Sequence, residues 1–362
     1  MRSLRRLRLL AMTGSLLAAC GPGRAPAVPE EVLPLASDTV EAAWGTIPVA
    51  APTGANRWAV VAGDWDAAAI ADFGSRTMTP LGGRKQSAYV HPFAVFNRGD
   101  TVFLSDWGKR RTTVWSGQGE LIDSIPAADA LRGSLPRARD AAGQFYFELM
   151  PVAGRDGSGN RDSAAIVRAP RSYARFDTAA QLAPLDLKEM QRENSRRFER
   201  LVFSGTDEWG IWPDGTIWVA RLLRNQIETI DPLGKRHRGP ELPDPVFEVT
   251  QADRDRYLQG FPNDTRPNEA DLPFALIHPP FVAAFNGPGA SIWLEKSKPV
   301  LDSVRRIHVL DREGNLKRTF RLHGAGRMIA VGDSAILVAE QFAQGIRLMQ
   351  VKIPAEAPRP IQ

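Results

Sequence analysis

Short apolar runs of about five residues, each closed by a turn, recur along most of this chain. The stretch 91–125, HPFAVFNRGDTVFLSDWGKRRTTVWSGQGELIDSI, holds four in succession, at 91–96, 101–105, 112–115 and 120–125. The turns between them carry Asn97, Gly99, Gly117 and Gly119, residue types that supply the backbone angles of tight hairpins. Runs this short, at this spacing, predict an all-β meander rather than βαβ units.

The same unit repeats. The turn between its first and second strands is marked by Gly54, Gly99, Gly143, Gly215, Gly289 and Gly332, with steps of 45, 44, 72, 74 and 43 residues. Three steps match one four-stranded propeller blade. The other two are longer by about 30 residues and predict insertions. Six turns predict six blades, so the expected fold is all-β, a six-bladed β-propeller with helical insertions on one face. The repeat resembles the six-bladed NHL-like and TolB-like propellers of bacterial envelopes. That resemblance covers about residues 40–353 and implies architecture, not activity. A stretch near 32–41 is expected to supply the last strand of blade six and close the ring. Five or seven blades, or a β-sandwich, are the alternatives; a sandwich would leave the repeat unexplained.

Strands in a blade alternate direction, so the entry to the first strand and the loop from second to third share a face. The insertions at 151–163, 185–206, 243–274 and 296–302 all fall there, with 187–201 and 250–258 reading as helical. The second strands end on the same face at Asp64, Asp106, Glu148, Arg221, Glu295 and Glu340, and His91 and His278 enter it. These eight residues form a candidate ligand-binding funnel. Converging carboxylates shift one another's pKa, which suggests a cation or amine site. The plainer alternative is a solvated rim, or pairing with Arg137, Arg139, Lys296 and Arg327. Asp64-Trp65 and Asp106-Trp107 recur at one blade position, either as packing or as an aromatic platform.

Composition adds the compartment. At 362 residues and 43% hydrophobic, the chain can build a large core. Arg2, Arg5, Arg6 and Arg8 lie in a segment without acids; removing them takes the formal net charge from +5 to +1. With no basic stripe, nucleic acid is not an expected partner. Those arginines precede a short apolar region, 9–19, that ends Leu17-Ala18-Ala19-Cys20. This resembles the bacterial lipobox, which implies a signal peptide at 1–19 and a lipidated Cys20. Gly21 rather than Asp follows, suggesting the outer membrane. The expected organisation is a signal peptide, a flexible tether at 20–37, a propeller at 38–356 and a tail at 357–362. Cys20 is the single cysteine, so no intramolecular disulfide is possible.

Other chemistry is sparse. Asp156, Ser158, Asn160 and Asp162 are spaced like the opening of an EF-hand calcium loop, but Arg161 and Val167 depart from its pattern. A mobile Gly/Ser loop is the competing reading. No nucleophile elbow, zinc-protease helix motif or P-loop occurs. The expectation is therefore a monomeric, lipid-anchored envelope protein without a cofactor. It would bind a small ligand, or a protein or peptide partner, through one face. One alternative is a divalent-metal-dependent hydrolase resembling lactonase propellers. Another is a scaffold subunit of an envelope complex.

Overall fold

Each repeat forms one antiparallel sheet, and six sheets form a six-bladed β-propeller. The structure, a computed structural model, describes residues 28–36, 38–82, 88–149, 164–192 and 195–355. Blade one is Val49–Gly54, Arg57–Ala62, Ala67–Asp72 and Thr77–Pro80. Blade two is Pro92–Arg98, Thr101–Asp106, Arg111–Ser116 and Leu121–Pro126. Blade three is Pro136–Arg139, Phe145–Leu149, Ala165–Ala169 and Asp177–Gln181. Blade four is Glu208–Ile211, Ile217–Arg221, Gln226–Ile230 and Arg236–Arg238. Blade five is Phe281–Asn286, Ile292–Lys296, Val304–Leu310 and Leu316–His323. The first three strands of blade six are Arg327–Val331, Ala335–Phe342 and Gly345–Lys352.

The ring is closed by Asp38–Ala42. It pairs antiparallel to the third strand of blade six, with Asp38 opposite Gln350 and Ala42 opposite Ile346. It covers the open edge of that strand and ties the two ends of the repeat array into one sheet.

Second strands explain the core. A strand points alternate side chains to opposite faces, and these strands are buried on both. Val102 and Leu104 pack toward blade one, while Phe103 packs toward blade three. Phe145 and Phe147 face blade two, and Tyr146 faces blade four. The same division places Trp218 and Ala220 against blade five and Ile217 and Val219 against blade three. Six apolar clusters result, one at each blade interface.

Two expectations are corrected. The segment 187–201 is a hairpin, Leu187–Arg192 paired with Ser195–Arg200, not a helix. A helix would have set Lys188 against Arg192, and Arg196 against Arg200, as like charges at i, i+4. The hairpin instead sets Lys188 opposite Glu199 and brings Arg196 within 3.4 Å of Glu189. Second, part of the presumed tether is a strand. Glu30–Val32 runs parallel to Leu316–His323 as a fifth strand of blade five. Arg318 binds Glu31 at 2.7 and 2.8 Å, and Arg306 binds Glu30 at 2.9 Å. The Arg318 bonds outweigh burial and hold the Glu31 carboxyl below its usual range.

The insertion between blades four and five does hold a helix, Gln251–Gln259. Thr250 caps it: its hydroxyl accepts from the Asp253 N–H, and the Asp253 carboxylate accepts from the Thr250 N–H at 2.8 Å. Among the described residues no helix is long and apolar enough to cross a membrane. Cys20 and the loop carrying Asp156, Ser158, Asn160 and Asp162 lie outside the described residues.

Candidate functional site

A cavity of about 530 Å³ opens between blades two and three. Its lining comes from first-strand entries and second-strand ends, so it lies on the face where the funnel was expected. Blade two contributes His91, Phe93 and Trp107, and blade three contributes Leu135, Arg137 and Glu148. Arg132 and Ser134 come from the connection between them.

Backbone geometry fixes the mouth. His91 adopts a left-handed conformation, φ 63°, which costs a non-glycine residue on the order of 1–3 kcal/mol. The Asp66 carboxylate accepts its N–H at 2.6 Å, and its carbonyl accepts the Trp107 N–H at 3.1 Å. Asp106 is fully buried and caps the same turn, accepting from the N–H groups of Val90 at 2.8 Å and Lys109 at 3.0 Å. Trp107 is thereby held 54% exposed, with the Phe93 ring perpendicular to it at 6.5 Å. Trp65, at the equivalent place in blade one, is 53% exposed. The repeated tryptophans therefore face outward and are not blade packing.

At the far wall Arg137 is paired with Glu148, whose Oε2 also accepts the Trp209 indole N–H at 2.9 Å. Glu208, at the start of blade four, stands in their field. Burial pushes its carboxyl up to about 7, against the opposing charge of Arg137.

The remaining funnel candidates are mostly bound within the fold. Glu295 is fully buried, accepting from Arg305 at 2.8 Å and from the Met328 N–H at 3.0 Å. Arg221 donates to Asp207 at 2.8 Å and to Glu228 at 2.7 Å. Burial pushes Glu228 up, but the Arg221 bonds more than offset it and hold the carboxyl below its usual range. Glu340 lies 3.8 Å from Arg347, and Asp64 is exposed on a 3-10 turn. His278 is drawn away from the mouth. Its Nε2 lies 3.3 Å from Asp253 Oδ2, and its ring packs 5.1 Å from Phe203, beside the helix. Thus His91 and Glu148 line the cavity, whereas His278 does not. Among the described residues no group of three or more His, Cys, Asp or Glu side chains is arranged to hold a metal ion.

Sequence reasoning missed Phe93, Leu135, Ser134 and Arg132 as lining residues. The period of two along a first strand carries the signal for Phe93: if His91 enters the face, so does the residue two further on. Arg132 and Ser134 lie in an irregular connection with no such period.

The sequence matches no family model, and no curated protein matches it. Solved structures do resemble the fold. An exported-protein candidate from Bacteroides fragilis aligns with 91% of this chain and 98% of its own, at 8% identity and a TM-score of 0.51. Virginiamycin B lyase from Staphylococcus aureus aligns with 87% of this chain and 99% of its own, at 10% identity and a TM-score of 0.45. A calcium-binding regucalcin from Agrobacterium tumefaciens aligns with 91% of this chain and 99% of its own, at 11% identity and a TM-score of 0.43. At these identities the likeness shows the fold alone.

Proposed function

We propose that this chain is an exported, membrane-anchored envelope lipoprotein whose propeller binds a small ligand in the cavity between blades two and three. The cavity carries the reading. Its volume lies in the range of about 300–1,000 Å³ typical of small-molecule sites. It combines an apolar wall with a few convergent polar groups, and a strained His91 is held at its mouth. The resemblance of the segment ending at Cys20 to a lipobox supports the anchor. The strand Glu30–Val32 supports this reading as the point at which such a tether would join the fold. Ten residues of extended chain span at most roughly 35 Å, so the lipid would hold the propeller close to the membrane. The insertions at 187–201 and 250–258 would roof the ligand face.

Two measurements test this. Metabolic labelling with an alkynyl fatty acid should tag the wild type and not Cys20→Ala. A thermal-shift screen of small ring compounds should give saturable hits that Trp107→Ala abolishes. Hits that survive that substitution would place binding elsewhere and reject this cavity.

A second reading has its own observation. Leu223, Leu276 and Leu301 are more than 80% exposed, and Ile277 is 52% exposed, all in loops of blades four and five on the ligand face. A protein partner would cover these side chains together; contiguous exposed apolar surface marks such contacts. A photo-crosslinker at position 301, used in intact cells, tests for a protein partner; a crosslink-free protein argues against the scaffold reading.

A further inference from the structure

Two exposed tryptophans belong to one surface. Trp65 and Trp107 stand at the same place in blades one and two, and each is half exposed. Their turns are bonded to each other through His91. The Asp66 carboxylate, next to Trp65, accepts the His91 N–H at 2.6 Å, and the His91 carbonyl accepts the Trp107 N–H at 3.1 Å. The blades also meet closely here, since a Cβ at Gly63 would lie 2.7 Å from the Pro92 carbonyl oxygen. Gly45 seats the first indole; a Cβ there would come within 3.1 Å of the Trp65 ring nitrogen. The left-handed backbone of His91 is thus the link that sets one indole at the cavity and a second one blade away.

The cavity itself offers no free charge. Glu148 is its one lining carboxylate, and it is paired with Arg137. Arg132 has a partner of its own within the protein. The acids expected to draw a cation are engaged elsewhere: Asp106 caps its turn, and Glu295 is buried against Arg305. A charged ligand would lose its hydration here without meeting an unpaired counter-charge, which is costly. Hydrogen-bonding capacity nonetheless remains. Both bonds to Glu148 fall on Oε2, leaving Oε1 as an acceptor, and Arg137 pairs through Nη1, leaving further N–H donors. The Ser134 hydroxyl and the His91 imidazole bring further polar atoms, beside the apolar Phe93, Trp107 and Leu135.

Resting on the small-ligand reading above, we infer that the ligand is an uncharged oligosaccharide. One sugar ring occupies the cavity, with its C–H face against Trp107 and its hydroxyls on Arg137, Glu148 and Ser134; a neighbouring sugar lies on Trp65. A pyranose fits this division because hydroxyls ring its edge while its faces carry C–H groups that pack on an indole. Each hydroxyl both donates and accepts, which matches a wall where a guanidinium and a carboxylate stand together without net charge.

Isothermal titration of the full chain in a sugar-free detergent decides the matter. The neutral probes are cellotetraose, maltotetraose, xylotetraose and tetra-N-acetylchitotetraose; the charged ones are tetragalacturonate and chitosan tetraose. At least one neutral tetramer should bind saturably, about tenfold or more tighter than its own monosaccharide, because the second contact is intramolecular. It should also bind tighter than either charged tetramer. Trp107→Ala should abolish that binding. Trp65→Ala should remove the tetramer's advantage and leave the monosaccharide's affinity unchanged. Both indoles are half exposed, so these substitutions spare the core, and wild-type thermal midpoints of the variants verify it. If no neutral tetramer binds, or a charged one binds tighter, the sugar inference falls. Trp107-dependent hits in the ring-compound screen would then leave the cavity reading standing, and their absence would remove both. An unchanged tetramer affinity in Trp65→Ala would overturn the two-ring site.

Discussion

The Trp209 indole N–H donates to Glu148 Oε2 across 2.9 Å and so joins blade four to blade three behind the cavity. Trp209 also lies under the Arg137 guanidinium, 5.9 Å from the ring centroid. One side chain thus positions both members of the Arg137–Glu148 pair. Replacing it with Phe keeps a ring beneath Arg137 but removes one of two donors to Glu148 Oε2, leaving the Arg137 bond. Trp209→Phe should cost about 0.5–1.5 kcal/mol of stability, measured by urea unfolding, and should weaken any Trp107-dependent hit of the ring-compound screen. Unchanged affinity would separate Trp209 from the site.

Glu208 makes stability depend on pH. Its folded pKa, about 7, lies above the ordinary 4.5, so the folded state holds this proton more tightly than the unfolded chain. Its contribution therefore falls as pH rises from about 4.5 to about 7 and is level beyond. Relative to wild type, Glu208→Gln should gain stability across that window, by on the order of 1–2 kcal/mol after allowing for partial exposure. Thermal midpoints of both proteins from pH 4.5 to 8 provide the check; parallel curves would remove Glu208 from the account.

His308 has the opposite slope. Burial lowers its pKa from 6.5 to about 4, against the pull of Asp244, 3.6 Å away. The unfolded chain binds this proton more readily, so stability rises with pH from about 4 to 6.5 and is fully present above. Lys296, whose own pKa burial lowers, shares Asp244 at 2.6 Å and opposes a second positive charge there. In His308→Gln the rise between pH 4 and 6.5 should shrink relative to wild type. Chemical denaturation at several pH values reads the difference.

Arg221 answers two buried carboxylates, Asp207 and Glu228, at once. Arg221→Ala would leave both without their main partner and should cost about 3–5 kcal/mol. Arg221→Lys should recover part of that, because a point charge cannot serve both acids as a planar fork does. Equal stability of Arg221→Ala and wild type in guanidinium would refute a structural role.

Two truncations separate ring closure from the outer strand. A chain starting at Asp38 loses Glu30–Val32 with its partly exposed ion pairs and the buried Leu33 of the cluster between blades five and six, and its midpoint should fall by about 5–10 °C while the ring stays closed. A chain starting at Trp44 also loses Asp38–Ala42, with Val40 from the cluster between blades six and one. That opens the ring and bares a strand edge, so it should aggregate on expression. Soluble, monodisperse protein from the shorter chain would overturn the closure argument.

Fold and blade count were legible in the chain because they rest on local signals. Hairpin glycines such as Gly99, Gly143 and Gly215 sit at positive φ, where a side chain is strained, so their spacing records the blades directly. Second strands such as Ile217–Arg221 face apolar neighbours on both sides, so their runs read as nearly continuous. The capping pair of Thr250 and Asp253 likewise marks its helix within four residues. The hairpin at 187–201 was misread because helix-favouring residue types concealed like charges at helical spacing. The site depended on more than local pattern. Period and topology put charged residues at the ends of second strands. Whether each meets solvent or a partner depends on groups far away in sequence. Glu295 meets Met328 of the next blade, Glu148 meets Trp209, and Arg221 meets Asp207. Blade packing made those pairings: it tied Glu148 and Glu295 into the fold, left Asp64 exposed, and opened a cavity lined by His91, Phe93 and Trp107 between blades two and three.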